Sequence, residues 1–102
     1  MDMKKMMKQA QQMQAQLAQA QNEINDMTFE ASAGGGMVSA VANGDMSIKS
    51  VSVNPAALEL GDAEMLEDMI CAAVNEALRG VSELSQARLN SVTGGMNIPG
   101  LM

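Results

Sequence analysis

The 102-residue chain is long enough for one domain with a core and too short for two. Hydrophobic residues make up 47% of it, but the aromatic content is Phe29 alone and there is no His, so the commonest general acid/base and the commonest metal ligand are missing together. A net charge of −6, six Lys+Arg against twelve Asp+Glu, argues against a polycation that coats nucleic acid indiscriminately.

Residues 2–27 read as one long helix. They lack Gly and Pro and are rich in Gln, Ala, Met, Lys and Leu, all good helix formers. Apolar or small residues recur at Met3, Met6, Ala10, Met13, Leu17, Ala20, Ile24 and Met27, in alternating steps of three and four that form a heptad seam. Low-complexity disorder is the competing reading of the glutamines on the other faces, and the regular seam favours a packed helix.

Thr28 to Ala33 then reads as a strand, Gly34-Gly35-Gly36 as a loop, Met37 to Ala42 as a second strand and Met46 to Val53 as a third. Asn43-Gly44 between the last two signals a type I′ hairpin, whose central positions need positive φ. Apolar parity slips from Met46 and Ile48 to Val51 and Val53, which a bulge near Lys49-Ser50 repairs. The three segments make an antiparallel meander.

Asn54-Pro55 ends the sheet and opens a short helical turn, Ala56 to Leu60. After Gly61, Asp62 reads as the N-cap of a second long helix that runs to about Val92, with Glu64, Glu67 and Asp68 where the helix dipole favours anions. Leu66, Ile70, Ala73, Ala77, Val81 and Leu84 mark its apolar face. Gly94-Gly95 is a C-terminal stop, and Met96 to Met102 is an irregular tail. The expected fold is α+β, an α-β-β-β-α domain over residues 1–95 with a tail at 96–102. Helices of about 37 to 45 Å overshoot strands of about 20 Å. Their ends must project, and the seam needs a partner, either a second copy or the other helix of the same chain. We expect a homodimer with projecting helical arms.

This set of residues resembles the YbaB/EbfC family of bacterial nucleoid-associated proteins. The resemblance is carried by Met7-Lys8-Gln9-Ala10-Gln11-Gln12-Met13-Gln14, by Gly36-Met37-Val38 with Asn43-Gly44 and Ile48, and by Val51-Ser52-Val53-Asn54-Pro55. It continues through Asp62, Glu64-Met65-Leu66-Glu67-Asp68-Met69-Ile70, Ala73, Asn75 and Ala77 to Gly95-Met96 and Pro99-Gly100, and so covers nearly the whole chain. It implies a tweezer-shaped homodimer that grips duplex DNA between projecting helices, in the bacterial nucleoid.

Lys4 and Lys8 share a helix face, with Lys5 about 100° away from Lys4. Against Asp2 these three lysines make a local +2 in the first ten residues, on a remainder of −8. Such a tip suits salt-sensitive, sequence-neutral phosphate contact; a solvated lysine patch is the plain alternative. Arg79 and Arg88 lie about 180° apart on their helix and cannot line one groove. Arg88, nearer the free end, is the candidate, whereas Arg79 has Glu76 and Glu83 within pairing distance along the helix. Lys49 belongs to a strand, guarding an edge or facing solvent. Few arginines argue against base readout, and the lack of aromatics argues against stacking on single strands.

The remaining features take structural readings. Glu64, Glu67 and Asp68 match neither a zinc site nor an EF-hand, so no metal is expected. The glycine triplet lacks the residues of a phosphate loop. Cys71 reads as a small packed residue, with no disulfide partner and no His to activate it. The methionine seam reads as core, with an open groove for partner helices as the alternative. The longest apolar run, Met69 to Val74, is too short for a membrane span, and the N-terminus leads into glutamines, unlike a signal peptide. We therefore expect a cytoplasmic protein that is not an enzyme and needs no cofactor or small-molecule substrate; the resemblance implies that it is located in the nucleoid. Its phosphate contacts are Lys4, Lys5, Lys8 and Arg88; the alternative is an acidic dimeric scaffold for protein partners.

Overall fold

A computed structural model describes residues 2–94. The elements run α1 (Met3–Asn25), β1 (Thr28–Ala33), β2 (Val38–Asn43), β3 (Ile48–Val53), α2 (Pro55–Glu59) and α3 (Ala63–Gly94). This is the expected α-β-β-β-α order with the expected helical turn, α2, between sheet and last helix. Gly95 and the tail at 96–102 lie outside the described residues.

Local chemistry sets the boundaries. Asp2 caps α1 by accepting from the Lys4 backbone N–H (3.1 Å), and Asp62 caps α3 by accepting from that of Met65 (3.0 Å). Asn54 accepts from Ala56 N–H (2.9 Å) and starts α2, with Pro55 in its first turn where no N–H is needed.

The sheet order is β1-β2-β3, antiparallel throughout. Phe29, Ala31 and Ala33 pair with Ala42, Ala40 and Val38, so these residues share one face of the sheet. That face packs on α3 through a core of Ala31, Val38, Ala40, Ala42, Ala73, Ala77 and Val81. Small residues let helix and sheet approach closely. At Gly80 the fit is extreme: a Cβ there would lie 2.2 Å from Phe29 Cε1. The ladder between β2 and β3 shifts register at Val41/Ala42, with Ser50 opposite Val41 and Ile48 opposite Ala42. Lys49 is the extra residue, at the position the parity slip required.

The hairpin turn differs from expectation. Positive φ falls on Met46 (69°), whereas Gly44 is outside that region. Met46 N–H donates to Asn43 carbonyl (2.9 Å), and Asn43 N–H to that of Ser47 (2.8 Å). The connection is thus a four-residue turn, Asn43 to Met46, whose last residue is left-handed, rather than a type I′ pair. Gly44 is needed for another reason: a Cβ would lie 1.6 Å from the Ile24 carbonyl oxygen, where the end of α1 comes down on the turn.

Three further corrections concern packing. Cys71 is exposed, because Ile70 and Ala73 take the inward positions of that turn. Leu84 is exposed too, since α3 has by then passed the sheet. Only the second half of the α1 seam is covered: Ala20 and Ile24 are buried and Met13 and Leu17 half-buried, but Met3, Met6 and Ala10 are open, as is Met7 beside the seam. The covering element is α3 of the same chain. The molecule is accordingly elongated, 71 × 26 × 15 Å along its principal axes.

Candidate nucleic-acid interface

The first two turns of α1 gather Lys4, Lys5 and Lys8, all exposed, beyond the stretch of helix that packs on α3. None of the three side chains makes an ion pair among the described residues. Their position runs against helix electrostatics. A helix N-terminus carries roughly half a positive charge and favours acidic side chains, yet the first turn of α1 has no acidic residue. The acidic group at that end is the N-cap Asp2, whose side chain accepts from the Lys4 N–H.

Arg88 is placed differently. Its Nε donates to Glu23 Oε2 (2.5 Å) and its Nη1 to Ser91 Oγ (2.8 Å), which ties α3 to the far end of α1. Lys4 sits about 28 Å from this pair along α1, at 1.5 Å per residue. The structure therefore brings the three lysines together and leaves Arg88 at the root of the arm. The Arg88 hydrogen bond holds the Glu23 carboxyl below its ordinary 4.5 despite partial desolvation. A depressed carboxyl contributes to stability above the ordinary carboxylate range and loses that contribution as pH falls through its lowered value, so the pair is intact at neutral pH.

Arg79 pairs with both Glu76 and Glu83 (2.6 Å to the latter) on the solvent face of α3, as its spacing indicated. Lys49 is exposed in the bulge of β3. Glu64, Glu67 and Asp68 are exposed at the start of α3. Among the described residues no group of three or more His, Cys, Asp or Glu is arranged to hold a metal, and no helix is long and apolar enough to cross a membrane.

A second surface escaped the sequence reading. Val51 on β3, Leu58 in α2, Leu60 at its C-cap and Met65 in the first turn of α3 are all exposed, Leu58 by 61%. Val51 pairs with Ala40 and so lies on the helix-bearing face of the sheet, but α3 packs mainly over β1 and β2. Beside these residues Ala57, Leu58, Gly61, Asp62, Ala63 and Leu66 line an open cleft of about 270 Å³. The parity of β3 was legible in the sequence; the sideways placement of α3, which leaves Val51 open while Ile48 and Val53 still pack on the core, was not.

Comparison with known proteins places these features. A profile of the YbaB/EbfC DNA-binding family matches residues 1–96. A nucleoid-associated protein of Thermoanaerobacter sp. strain X514 is 50% identical over 96 residues, covering 94% of this chain and 86% of that one. One from Pelotomaculum thermopropionicum is 47% identical over 100 residues, covering 98% and 95%. Among solved structures, an uncharacterized Helicobacter pylori protein superposes with a TM-score of 0.71 over 95% of this chain and 99% of its own, at 24% identity, a likeness of fold.

Proposed function

The chain belongs to the YbaB/EbfC DNA-binding family, and from that premise we propose that it is a nucleoid-associated protein that grips duplex DNA as a homodimer. The contacts are to phosphate and carry little sequence preference. Lys4, Lys5 and Lys8 make them at the tip of each arm. Arg88 adds to them at the root through Nη2, which has no partner among the described residues. That its relatives are named nucleoid-associated proteins supports a location in the nucleoid. Its family is a DNA-binding one rather than an enzyme family, and no catalytic step is proposed.

One observation carries this reading: three lysines with no ion pair among the described residues crowd a helix N-terminus that projects from an otherwise acidic molecule. The net charge of −6 limits affinity away from the tips and favours an approach tips first. Exposed Met3, Met6 and Met7 beside the lysines favour the competing reading, a scaffold that holds a protein partner on the same arm. Anisotropy titration with labelled duplexes of unrelated sequence at low salt separates the two. The proposal expects similar binding to each duplex and weaker binding to single strands. No binding at low salt contradicts it.

The uncovered surface at β3, α2 and the start of α3 supplies the dimer interface. Exposed large apolar residues from three consecutive elements are what a two-fold contact buries. Its rim carries Glu59, Asp62 and Glu64 on each copy, so like charges meet across the axis. Added salt should therefore tighten the dimer while it weakens DNA binding. Light scattering at micromolar concentration should give twice the chain mass, and Leu58→Asp with Leu60→Asp should give the monomer mass with helical content retained. A monomeric wild type contradicts the proposal.

A further inference from the structure

α1 is held to the body over its C-terminal half, where Met13 and Leu17 are half-buried and Ala20 and Ile24 buried. The element it packs against is α3. Contacts between small aliphatic groups resist separation but do little to resist sliding or rotation. Between Ala20 and Ile24 in the chain stands Glu23, which accepts from Arg88 Nε across 65 positions of sequence. Arg88 is steadied from its other side by Ser91, whose Oγ accepts from Nη1 and itself donates to the Arg88 carbonyl (2.8 Å each). Among the described residues this is the ion pair that joins two elements; the Arg79 pairs lie within α3. A hydrogen-bonded guanidinium–carboxylate contact is directional in a way that methyl packing is not.

Leverage makes that direction matter. From Glu23 to Lys4 the helix extends about 28 Å, so a swing of about 10° at the joint moves the tip by roughly 5 Å. That exceeds the ~3.4 Å spacing of successive phosphates along the axis of one strand. We infer that the Glu23–Arg88 pair is a positioning latch: it sets the angle at which α1 leaves α3 and thereby where the lysine tip meets the duplex. The effect on DNA rests on the proposed function above; the effect on arm angle does not. Both side chains are one-third to two-fifths exposed, so the pair adds little to overall stability. Its consequence is geometry.

Electrostatics alone predicts the opposite sign for one variant. Glu23→Gln removes a negative charge and on that ground would strengthen DNA binding, whereas a lost latch weakens it. The test labels Cys71, exposed on α3, and a cysteine placed at Gln12 on the arm with spin labels. Labelled chains are diluted into excess unlabelled full-length protein, and the distance distribution is measured by pulsed electron resonance. Glu23→Gln and Arg88→Gln should each broaden the distribution at least about twofold and weaken duplex binding roughly three- to tenfold. The thermal midpoint should barely move. The reversed pair, Glu23→Arg with Arg88→Glu, should restore the narrow distribution. An unchanged width in Glu23→Gln overturns the latch. So does weaker binding in Arg88→Gln alone, which would make Arg88 a direct phosphate contact only. If the wild type does not bind duplex at all, the DNA reading fails and the width still decides the latch.

Discussion

Changing Lys4, Lys5 and Lys8 together to glutamate is expected to weaken duplex binding at low salt by at least about a hundredfold while leaving the dimer and its helical content intact. Each lysine that neutralises a phosphate releases condensed counterions, and the logarithm of affinity falls by about 0.9 per phosphate for each decade of salt. Three lysines and Arg88 on each of the two arms of the proposed dimer give a slope near −7, of which the triple variant should remove about five. The substitutions are safe for the fold because all three side chains are exposed, and acids at a helix N-terminus suit its dipole. The variant separates function from folding: it should be as stable as the parent or slightly more so. Retained binding would remove the tip from the mechanism.

The largest expected loss of stability comes from a methyl group. Gly44→Ala puts a Cβ 1.6 Å from the Ile24 carbonyl oxygen, a backbone atom that no rotamer change moves aside. To accommodate it, the turn and the end of α1 must separate, straining the Gly44 N–H bond to Met27 carbonyl (2.9 Å). Overpacking of this kind costs about 3 kcal/mol or somewhat more, which for a domain of this size lowers the thermal midpoint by roughly 12 °C or more at fixed protein concentration. Gly80→Ala meets Phe29 Cε1 at 2.2 Å, but a half-buried ring can tilt, so its cost should be smaller, about 1–2 kcal/mol. Thermal unfolding followed by circular dichroism ranks the two. Equal midpoints for wild type and Gly44→Ala would show that the α1 joint is looser than its close contact indicates.

Much of this architecture was legible in the chain because its signals are local. Pro55 after Asn54, Asp62 ahead of an acidic turn and the parity slip at Lys49 each name a backbone event, and each is found within a residue or two of where it was read. Asn43-Gly44 misled because a glycine has two uses. Here it clears the Ile24 carbonyl, while Met46 adopts the left-handed conformation. The heptad seam told that α1 has a packing face but not how far its partner reaches, so Met3 and Met6 were read as core and are open. Cys71 was misplaced by its apolar neighbours, of which Ile70 and Ala73 turn inward while Cys71 and Ala72 face out. Of the candidate site, the lysine cluster was visible as charge against sequence position. The contact of Arg88 with Glu23 spans 65 residues and depends on how two helices cross, which periodicity does not encode.

The central claim is that this acidic chain holds duplex DNA through phosphate at the tips of its arms. It is tested most directly by the salt dependence of wild-type binding to two duplexes of unrelated sequence, measured by anisotropy between roughly 50 and 200 mM monovalent salt. The account predicts a loss of roughly ten-thousandfold across that range, a slope near −7, and the same slope for both sequences. A flat response, or tight binding to one sequence with none to the other, would contradict it.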